Sequence, residues 1–386
     1  MVRNIAVFGS TGSIGRKVLE VVRLFPNRFS VKMLGARRNV AELYKQVKEF
    51  NTRYVYIDEL GEIDNFRFNG AEIFTGVEGV RKICSIDEID TILVAVDGYF
   101  GIYPTIEGIM NGKTVLTANK ESIFIWGYEI MESAKNNNTI VIPLDSEHNT
   151  IFNLISKIGM QSINKFIITA SGGPFLKKPL EELEKTTFQN AMEHPNWKMG
   201  KIVTLNSATM FNKVLEFFEA HIFFQIPFDK IEIVIHPESR IHSMAVLIDG
   251  TTWSIYYRPD MIFPIANAMF YPDIPPLIER SIPFETPVDI SLNFLKPDLS
   301  KFPVLSLIKY LDNSKIQNRV ILNTSNEVCI YLFERGIIKF NQIPLILEKC
   351  LKEFKTDFKF EISDKLVEEM NNVRKSIEEF ILSKLV

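Results

Sequence analysis

Ile5-Ala6-Val7-Phe8-Gly9-Ser10-Thr11-Gly12-Ser13-Ile14-Gly15 is the stretch from which the fold of the N-terminal part can be predicted. Its first four residues form an apolar run typical of a buried strand, and a helical pattern of apolar residues follows over 18–24. Strand, glycine turn and helix in this order make a dinucleotide-binding unit, in which the backbone approaches a pyrophosphate at the helix amino terminus. We therefore expect residues 9–15 to bind a nucleotide; a purely structural tight turn is the alternative.

The second predicted strand indicates which nucleotide is bound. It covers Ser30–Gly35 and leads into Ala36-Arg37-Arg38-Asn39. An NAD-specific site usually has an acidic residue at this point, which binds the ribose hydroxyls, and this sequence has none. Two guanidinium groups suit a 2′-phosphate, so the residues favour NADP over NAD. A solvated basic pair at a helix start is the alternative.

Strands and helices continue to alternate as far as residue 144. Apolar strand patterns cover 54–57, 91–96, 114–116 and 139–142. This alternation predicts an α/β fold that begins with a Rossmann-like, doubly wound parallel sheet. Lys120 follows one of these strands at the carboxyl end, where ligands bind in such sheets, although a surface lysine is the alternative.

Two carboxylates follow the last of these strands in Pro143-Leu144-Asp145-Ser146-Glu147-His148-Asn149. If the backbone stays extended, with the next helix starting near Thr150, Asp145 and Glu147 point the same way. Two such charges repel unless a cation lies between them, and oxygen ligands suit magnesium or manganese. A solvated acidic turn is the alternative.

Two loops in the middle of the chain are candidates for ligand binding. Ser171-Gly172-Gly173 follows a predicted strand and offers backbone N–H groups to a phosphate, or is a plain turn. The loop near 192–200 carries Trp197, so it is either a lid that excludes water or a loop anchored by its tryptophan.

A helix after these loops carries a further polar cluster. We expect Ser207 to cap this helix, and Asn212, Lys213 and Glu216 to share one of its faces. Lysine and asparagine suit an anionic ligand, and a glutamate one turn further on suits a metal. A salt-bridged polar face is the alternative.

The remaining patterns complete the predicted domain organisation. Strands near 231–235, 243–247 and 253–257, with a hairpin turn at Asp249-Gly250, indicate a mixed or antiparallel sheet packed against helices. Prolines then cluster in an extended linker, and helical patterns near 304–311, 325–334 and 344–354 and from 363 onward indicate a small bundle. The predicted regions are a nucleotide-binding domain over 1–144, a central α+β catalytic domain over 145–270, a linker over 271–300 and a C-terminal helical domain over 301–386.

Composition excludes several classes of protein. The 386 residues are 46% hydrophobic and carry a formal net charge of −3, which argues against nucleic acid or an anionic membrane as partner. The three cysteines, Cys84, Cys329 and Cys350, have no metal-binding spacing and are expected to be buried in a reducing compartment. No apolar run approaches the ~18 residues of a membrane span, and the first strand begins too early for a signal peptide. We therefore expect a cytoplasmic protein.

Taken together, these stretches resemble the deoxyxylulose phosphate reductoisomerase family, whose members are NADPH enzymes of the non-mevalonate isoprenoid pathway. The resemblance covers essentially the whole chain. It rests on the following motifs: Gly9–Gly15, Ala118–Ser122, Asp145–Asn149, Ser171–Phe175, His194–Trp197, Ser207–Met210 with Asn212, Lys213 and Glu216, His236-Pro237, Ile241–Met244 and Asn326–Val328. The loop Asp97–Gly101 is bulkier than is usual in the family, and we assign it no role.

The resemblance implies roles for individual residues. A divalent metal, magnesium, manganese or cobalt, would be held by Asp145, Glu147 and Glu216, which together with Lys120 are the implied catalytic residues. The substrate would be held by Ser146, Ser171, Ser207, Asn212 and Lys213 and by the lid residues His194, Trp197 and Met199. NADPH would be bound by Gly9, Ser10, Thr11, Gly12, Ser13, Ile14, Gly15, Ala36, Arg37, Arg38, Asn39, Asn119 and Glu121.

The implied reaction is the isomerisation and reduction of 1-deoxy-D-xylulose 5-phosphate to 2-C-methyl-D-erythritol 4-phosphate, by a homodimer. Two alternatives remain open. An NADPH dehydrogenase of the aspartate-semialdehyde type would need a cysteine nucleophile in a suitable turn, which none of the three cysteines offers. A non-enzymatic NADPH-binding regulator would not need three metal carboxylates and a phosphate pocket.

Overall fold

The structure is a computed structural model that describes residues 2–59, 68, 70–193 and 200–384. The chain forms two compact units. The first comprises Met1–Phe152 and Asp260–Glu285, and the second comprises Asn153–Pro259 and Thr286–Val386. Across the described ranges, no helix is long and apolar enough to cross a membrane.

Eleven strands and thirteen α-helices are found among the described residues. The strands are β1 Arg3–Phe8, β2 Phe29–Ala36, β3 Tyr54–Ile57, β4 Glu72–Phe74, β5 Thr91–Val94, β6 Thr114–Thr117, β7 Val141–Pro143, β8 Ile163–Ala170, β9 Ile231–Ile235, β10 Ile241–Leu247 and β11 Thr252–Tyr256. The helices are α1 Ser13–Leu24, α2 Val40–Phe50, α3 Gly76–Cys84, α4 Ile102–Met110, α5 Lys120–Asn136, α6 Ser146–Ile158, α7 Phe188–Met192, α8 Lys201–Thr209, α9 Phe211–Phe224, α10 Ile262–Phe270, α11 Ile316–Glu334, α12 Ile343–Glu353 and α13 Leu366–Lys384.

The first unit is built on a seven-stranded sheet in the order β4-β3-β2-β1-β5-β6-β7. All neighbouring strands are parallel, which confirms the predicted doubly wound α/β sheet. The strand order reverses at β1, because β1 pairs with β2 on one side and with β5 on the other. The glycine turn after β1 therefore lies at the switch point of the sheet, the usual place for a ligand.

A helix from much later in the chain completes the core of this unit. Helix α10 packs on α1, where the Phe270 and Phe25 rings meet edge to face with centroids 4.8 Å apart. At the other end of the helix, Lys17 Nζ lies 3.1 Å from Asp260 Oδ1. This helix cannot be predicted from periodicity, because it is apolar on almost all sides and has no helical period.

The second unit contains a four-stranded sheet in the order β11-β10-β8-β9. Strand β8 is parallel to β9 and antiparallel to β10, and β10 and β11 form an antiparallel hairpin. This confirms the predicted mixed sheet and the turn at Asp249-Gly250, where Gly250 has a φ of +85°. Helix α9 packs on β8 and β9, and α11 packs against α12 and α13.

Helix boundaries in the C-terminal part differ from the prediction in two places. The segment expected near 304–311 is a 3-10 helix, Pro303–Tyr310. Helix α11 begins nine residues before the predicted position, since Arg319 and Asn323 are polar but buried and interrupt the apolar pattern.

The close packing of the glycine turn generates a stability prediction. A Cβ on Gly15 would lie 2.2 Å from the Gly9 carbonyl oxygen and 2.6 Å from Ser10 Cα. We expect Gly15→Ala to lower the free energy of unfolding by about 1–3 kcal/mol, the usual cost of overpacking, as measured by urea denaturation followed by circular dichroism.

Gly12→Ala is the matched control in the same turn. Its Cβ would lie 3.4 Å from the nearest atom, at a φ of −75°, so we expect less than about 1 kcal/mol of change. Equal losses in the two variants would contradict this account of the turn.

Candidate functional site

The glycine turn presents an open helix amino terminus. Helix α1 begins at Ser13, and neither a side-chain cap nor an acidic residue in its first turn satisfies its free N–H groups. Thr11 and Ile14 are half-buried, whereas Gly12 and Ser13 are exposed. An anion can therefore reach the backbone N–H groups of this turn.

Ser10 has a structural role within the same turn. Its side chain is fully buried, and its hydroxyl donates to Gln46 Oε1 at 2.7 Å. Its backbone N–H and that of Gly9 both donate to the Gly35 carbonyl at 2.9 Å. These bonds hold the turn against β2 and α2, so the Ser10 side chain faces the protein interior.

The end of β2 carries the predicted basic pair. Ala36 is buried, and Asn39 caps α2 by accepting a hydrogen bond from the Glu42 N–H at 3.2 Å. Arg37 and Arg38 are both largely exposed. Both guanidinium groups contact the carboxylate of Glu59, which follows β3 and was not among the predicted site residues.

Asn119 joins the ends of two strands. It caps α5 by accepting from the Ser122 N–H at 3.0 Å, and its Nδ2 donates to the Val96 and Gly98 carbonyls at 3.0 and 2.9 Å and to Glu121 at 2.9 Å. The side chain therefore fixes the loop 97–101 that follows β5. Within this loop, burial raises the pKa of the Asp97 carboxyl above its ordinary value.

Lys120 and Asp145 form an ion pair at the carboxyl edge of the sheet. Lys120 Nζ lies 2.5 Å from Asp145 Oδ2, and both side chains are mostly buried. The pairing of β6 with β7 brings them together, because Lys120 and Asp145 follow these two strands closely. The alternative interpretation of Lys120 as a surface lysine is therefore wrong.

Asp145 is also the cap of α6. Its Oδ1 accepts hydrogen bonds from the backbone N–H groups of Glu147 at 3.1 Å and His148 at 3.5 Å. The expectation of an extended backbone up to Thr150 was wrong, because α6 begins four residues earlier, at Ser146. A capping aspartate stabilises this earlier start. Glu147 consequently lies in the first helical turn.

Two neighbours of these carboxylates have partners that the sequence did not indicate. Ser146 donates its hydroxyl to the Glu147 carboxylate. His148 is fully buried, with its Nδ1 3.2 Å from Asp145 Oδ1. The missed signal is the spacing of three residues between Asp145 and His148, which places both on one side of a helix start.

In the second unit, the turn after β8 packs against the end of α8. The Ser171 hydroxyl accepts from the Gly173 N–H at 3.2 Å. A Cβ on Gly173 would lie 2.6 Å from the Ser207 carbonyl oxygen, and its φ is +65°. The structure thus brings the Ser171–Gly173 turn and Ser207 together.

Ser207 does not cap a helix as expected. It lies within α8, and the break between α8 and α9 is at Met210, whose φ is +67°. No local pattern predicts this break, since a left-handed conformation is uncommon for methionine. The bend places Ser207 just before, and Asn212 just after, one sharp change of chain direction.

The polar residues of α9 are buried rather than solvated. Lys213 and Glu216 are 7% and 2% exposed, and the lysine donates a hydrogen bond to the glutamate. Such charges are buried only when they are paired. The Oδ1 atom of Asn212 is also buried and has no hydrogen-bond partner among the described residues. A buried amide oxygen of this kind is suited to a ligand that donates a hydrogen bond.

Three predicted lid residues, His194, Trp197 and Met199, lie outside the described residues. The three cysteines are all buried and free, as expected. Burial raises the pKa of the Cys84, Cys329 and Cys350 thiols above their ordinary value. None of them is a reactive thiolate.

Comparisons with known proteins agree on one family along the whole chain. Residues 5–127 match the family model for 1-deoxy-D-xylulose 5-phosphate reductoisomerase, residues 141–224 the model for its C-terminal domain, and residues 258–379 a further model for a DXP reductoisomerase C-terminal domain. The 1-deoxy-D-xylulose 5-phosphate reductoisomerase of Thermodesulfovibrio yellowstonii is 39% identical over 355 residues, which cover 92% of this chain and 93% of that protein.

Solved structures give the same result. A crystal structure of DOX-P reductoisomerase in complex with NADPH, fosmidomycin and magnesium is 31% identical, with a TM-score of 0.88 over 99% of this chain and 98% of the other. The enzyme of Zymomonas mobilis in complex with NADPH is 30% identical, with a TM-score of 0.86 over the full length of both chains.

Proposed function

This chain belongs to the 1-deoxy-D-xylulose 5-phosphate reductoisomerase family, and from that premise we propose its reaction, cofactors and site. It converts 1-deoxy-D-xylulose 5-phosphate to 2-C-methyl-D-erythritol 4-phosphate by isomerisation and reduction, as a cytoplasmic step of non-mevalonate isoprenoid biosynthesis. The observation that carries this proposal is the Lys120–Asp145 pair at the carboxyl edge of the nucleotide-type sheet. A carboxylate and a cation at that edge suit a metal-dependent reaction of an anionic substrate.

Asp145, Glu147 and Glu216 are the proposed metal ligands. The family resemblance assigns this role to the three carboxylates, each of which is at least partly buried. Oxygen donors of this kind suit magnesium or manganese, cobalt is the third proposed ion, and a related structure holds magnesium. When bound, the ion supplies Lewis acidity to substrate oxygens. The chain's own contribution is orientation, since Asp145 is fixed by helix N–H groups and by Lys120.

NADPH is the proposed hydride donor, held by residues 1–144. The open N-terminus of α1 fits the pyrophosphate, and Arg37 and Arg38 fit a 2′-phosphate. Gly9–Gly15, Ala36, Asn39, Asn119 and Glu121 complete the proposed cofactor site. Asn119 supports it by fixing the loop at 97–101 beside the strand ends.

The sugar phosphate is the proposed ligand of residues 145–270. Lys213 supplies positive charge, and the Ser171–Gly173 turn offers backbone N–H groups to the phosphate. The buried Asn212 amide oxygen can accept a hydrogen bond from the ligand. Ser146 and Ser207 add hydroxyl groups, and His194, Trp197 and Met199 are the proposed lid. Phosphate binding at a distance from the reacting carbons supplies energy for orientation and closure.

The aspartate-semialdehyde alternative lacks its nucleophile. That chemistry needs an accessible thiolate, whereas all three thiols are buried and have raised pKa values. A regulator that only binds NADPH would not need the buried Lys213–Glu216 pair in the second unit. Both alternatives therefore have less support than the reductoisomerase reaction.

The first experiment follows NADPH absorbance with 1-deoxy-D-xylulose 5-phosphate. We expect oxidation that requires both the sugar phosphate and magnesium or manganese, and that is slower with NADH. Alkylating agents should leave the rate unchanged, since no cysteine is exposed. A folded, NADPH-binding protein that does not oxidise NADPH under these conditions would contradict the proposal.

Glu216→Gln tests the metal assignment. The change keeps the size of the side chain and removes its charge, so we expect manganese affinity to fall at least about tenfold and turnover to fall with it. NADPH affinity, measured by nicotinamide fluorescence, should change less than about twofold, because Glu216 lies outside the nucleotide-type sheet.

Glu232→Gln is the matched control. Glu232 is an exposed residue of β9 in the same unit, paired with Lys165, and its loss should change neither affinity. If Glu216→Gln instead abolished NADPH binding in a folded protein, Glu216 would not be the metal ligand proposed here.

A homodimer is the proposed assembly, and the edge of the second sheet is its proposed interface. In the described part of the chain β11 lies at the sheet edge, and Trp253 on that strand is half exposed. Unpaired edge strands readily pair with another chain. We expect light scattering after gel filtration to give twice the chain mass, and Trp253→Lys to reduce it toward one chain. A monomeric parent protein would overturn this assembly.

A further inference from the structure

Glu59 is held beside the end of β2 by the backbone. Its N–H donates to the Arg37 carbonyl at 3.1 Å, and the Asp58 N–H donates to the Ala36 carbonyl at 3.3 Å. These bonds continue the parallel pairing of β2 and β3 beyond the end of β3, and the bond from Glu59 extends it beyond the end of β2 as well. The position of Glu59 relative to the basic pair is therefore set by the sheet.

The Glu59 side chain bridges the two arginines. Its Oε1 lies 2.9 Å from Arg37 Nε, and its Oε2 lies 2.6 Å from Arg38 Nε. The hydrogen bond from Arg38 is the main cause that lowers the pKa of Glu59, against a smaller opposite effect of burial and with help from Arg37. The carboxylate is thus ionised and shared between both guanidinium groups.

A 2′-phosphate would need the same donors. Guanidinium N–H groups bind a carboxylate and a phosphate oxygen pair with the same planar geometry. In a doubly wound fold the adenosine ribose lies at the end of the second strand, where Arg37 and Arg38 are found. The phosphate and the carboxylate are both anions, so they repel each other when both lie beside the pair.

From this geometry we propose that Glu59 determines cofactor specificity by competing with the 2′-phosphate of NADPH for Arg37 and Arg38. The inference rests on the proposed function, in which the protein uses NADPH. Glu59 lowers the affinity for NADPH and leaves that for NADH almost unchanged, because NADH has no phosphate at this position. Glu59 thus reduces the preference for NADPH over NADH that Arg37 and Arg38 create.

The alternative effect of Glu59 would be to orient the arginines for the phosphate. Both arginine side chains are about two-thirds exposed, and an exposed ion pair of this kind does little to hold the two guanidinium groups in one orientation. Repulsion between the carboxylate and a doubly charged phosphate at close range is the larger effect, even with screening at physiological salt. The net effect of Glu59 is therefore to weaken NADPH binding.

Glu59→Gln tests the proposal, with Kd values for NADPH and NADH measured by nicotinamide fluorescence at low and high salt. We expect the Kd for NADPH to fall about fivefold at low salt and the Kd for NADH to change less than about 1.5-fold. The gain should shrink at high salt. In an Arg38→Gln background the gain should also shrink, because part of the competition has been removed.

Glu49→Gln is the matched control. Glu49 forms a similar pair with Arg23, which lies in the last turn of α1, at the opposite end of the helix from the glycine turn. Glu49 Oε1 lies 2.5 Å from Arg23 Nε, and Glu49 Oε2 lies 2.9 Å from Arg23 Nη2. Its loss removes the same charge from the same unit and should leave both Kd values unchanged. An equal gain in this variant would mean that net charge, and not Glu59, sets the affinity, and would overturn the proposal.

Two further outcomes separate this inference from the proposed function. If the parent protein prefers NADPH, and Glu59→Gln leaves that preference unchanged or reduces it, the inference fails and the proposed function stands. If the parent protein does not bind NADPH, the proposed function fails and the inference fails with it.

Discussion

The parallel pairing of β6 with β7 is the constraint on which the candidate site at the sheet edge depends. Thr117 pairs with Pro143, and the Leu144 N–H donates to the Thr117 carbonyl at 2.8 Å, so both chains leave the sheet side by side. Lys120 then begins α5 and Asp145 caps α6. Because both strands are almost entirely buried, neither can shift without loss of the core. The contact between a lysine and an aspartate 25 residues apart is therefore fixed by the sheet.

Pairing also explains how acidic groups are tolerated in the interior. Glu216 is almost completely buried, and removal of a carboxylate from water costs several kcal/mol unless a partner compensates. Lys213, one turn earlier on α9, is the partner, and Lys120 serves Asp145 in the same way. Each unit therefore places a lysine beside a carboxylate that it buries. The lysines are also the residues that the proposed function assigns to an anionic substrate, so one charge serves both purposes.

Much of this could be predicted from sequence because the patterns are local. Strand, glycine turn and helix occupy consecutive residues in 5–24. Each β-strand of the first sheet except β4 corresponds to an apolar run in the sequence. The predictions that failed depend on features without a local pattern. Helix α6 begins at Ser146 because the Asp145 side chain caps it, and α8 ends at Met210 in a left-handed conformation that methionine rarely adopts. Helix α10 packs on α1 although more than 230 residues separate them.

The chemistry of the cofactor site also depends on residues that are distant in sequence. The sequence favours NADP over NAD because no acidic residue ends β2, and this criterion uses the residues of one strand only. The sheet brings β3 alongside β2, however, and so supplies an acidic residue from 21 positions further along the chain. A rule that examines only the second strand cannot include this charge. Cofactor preference is therefore a property of the whole sheet edge, where arginines from one strand meet a carboxylate from its neighbour and the balance of the two sets the affinity.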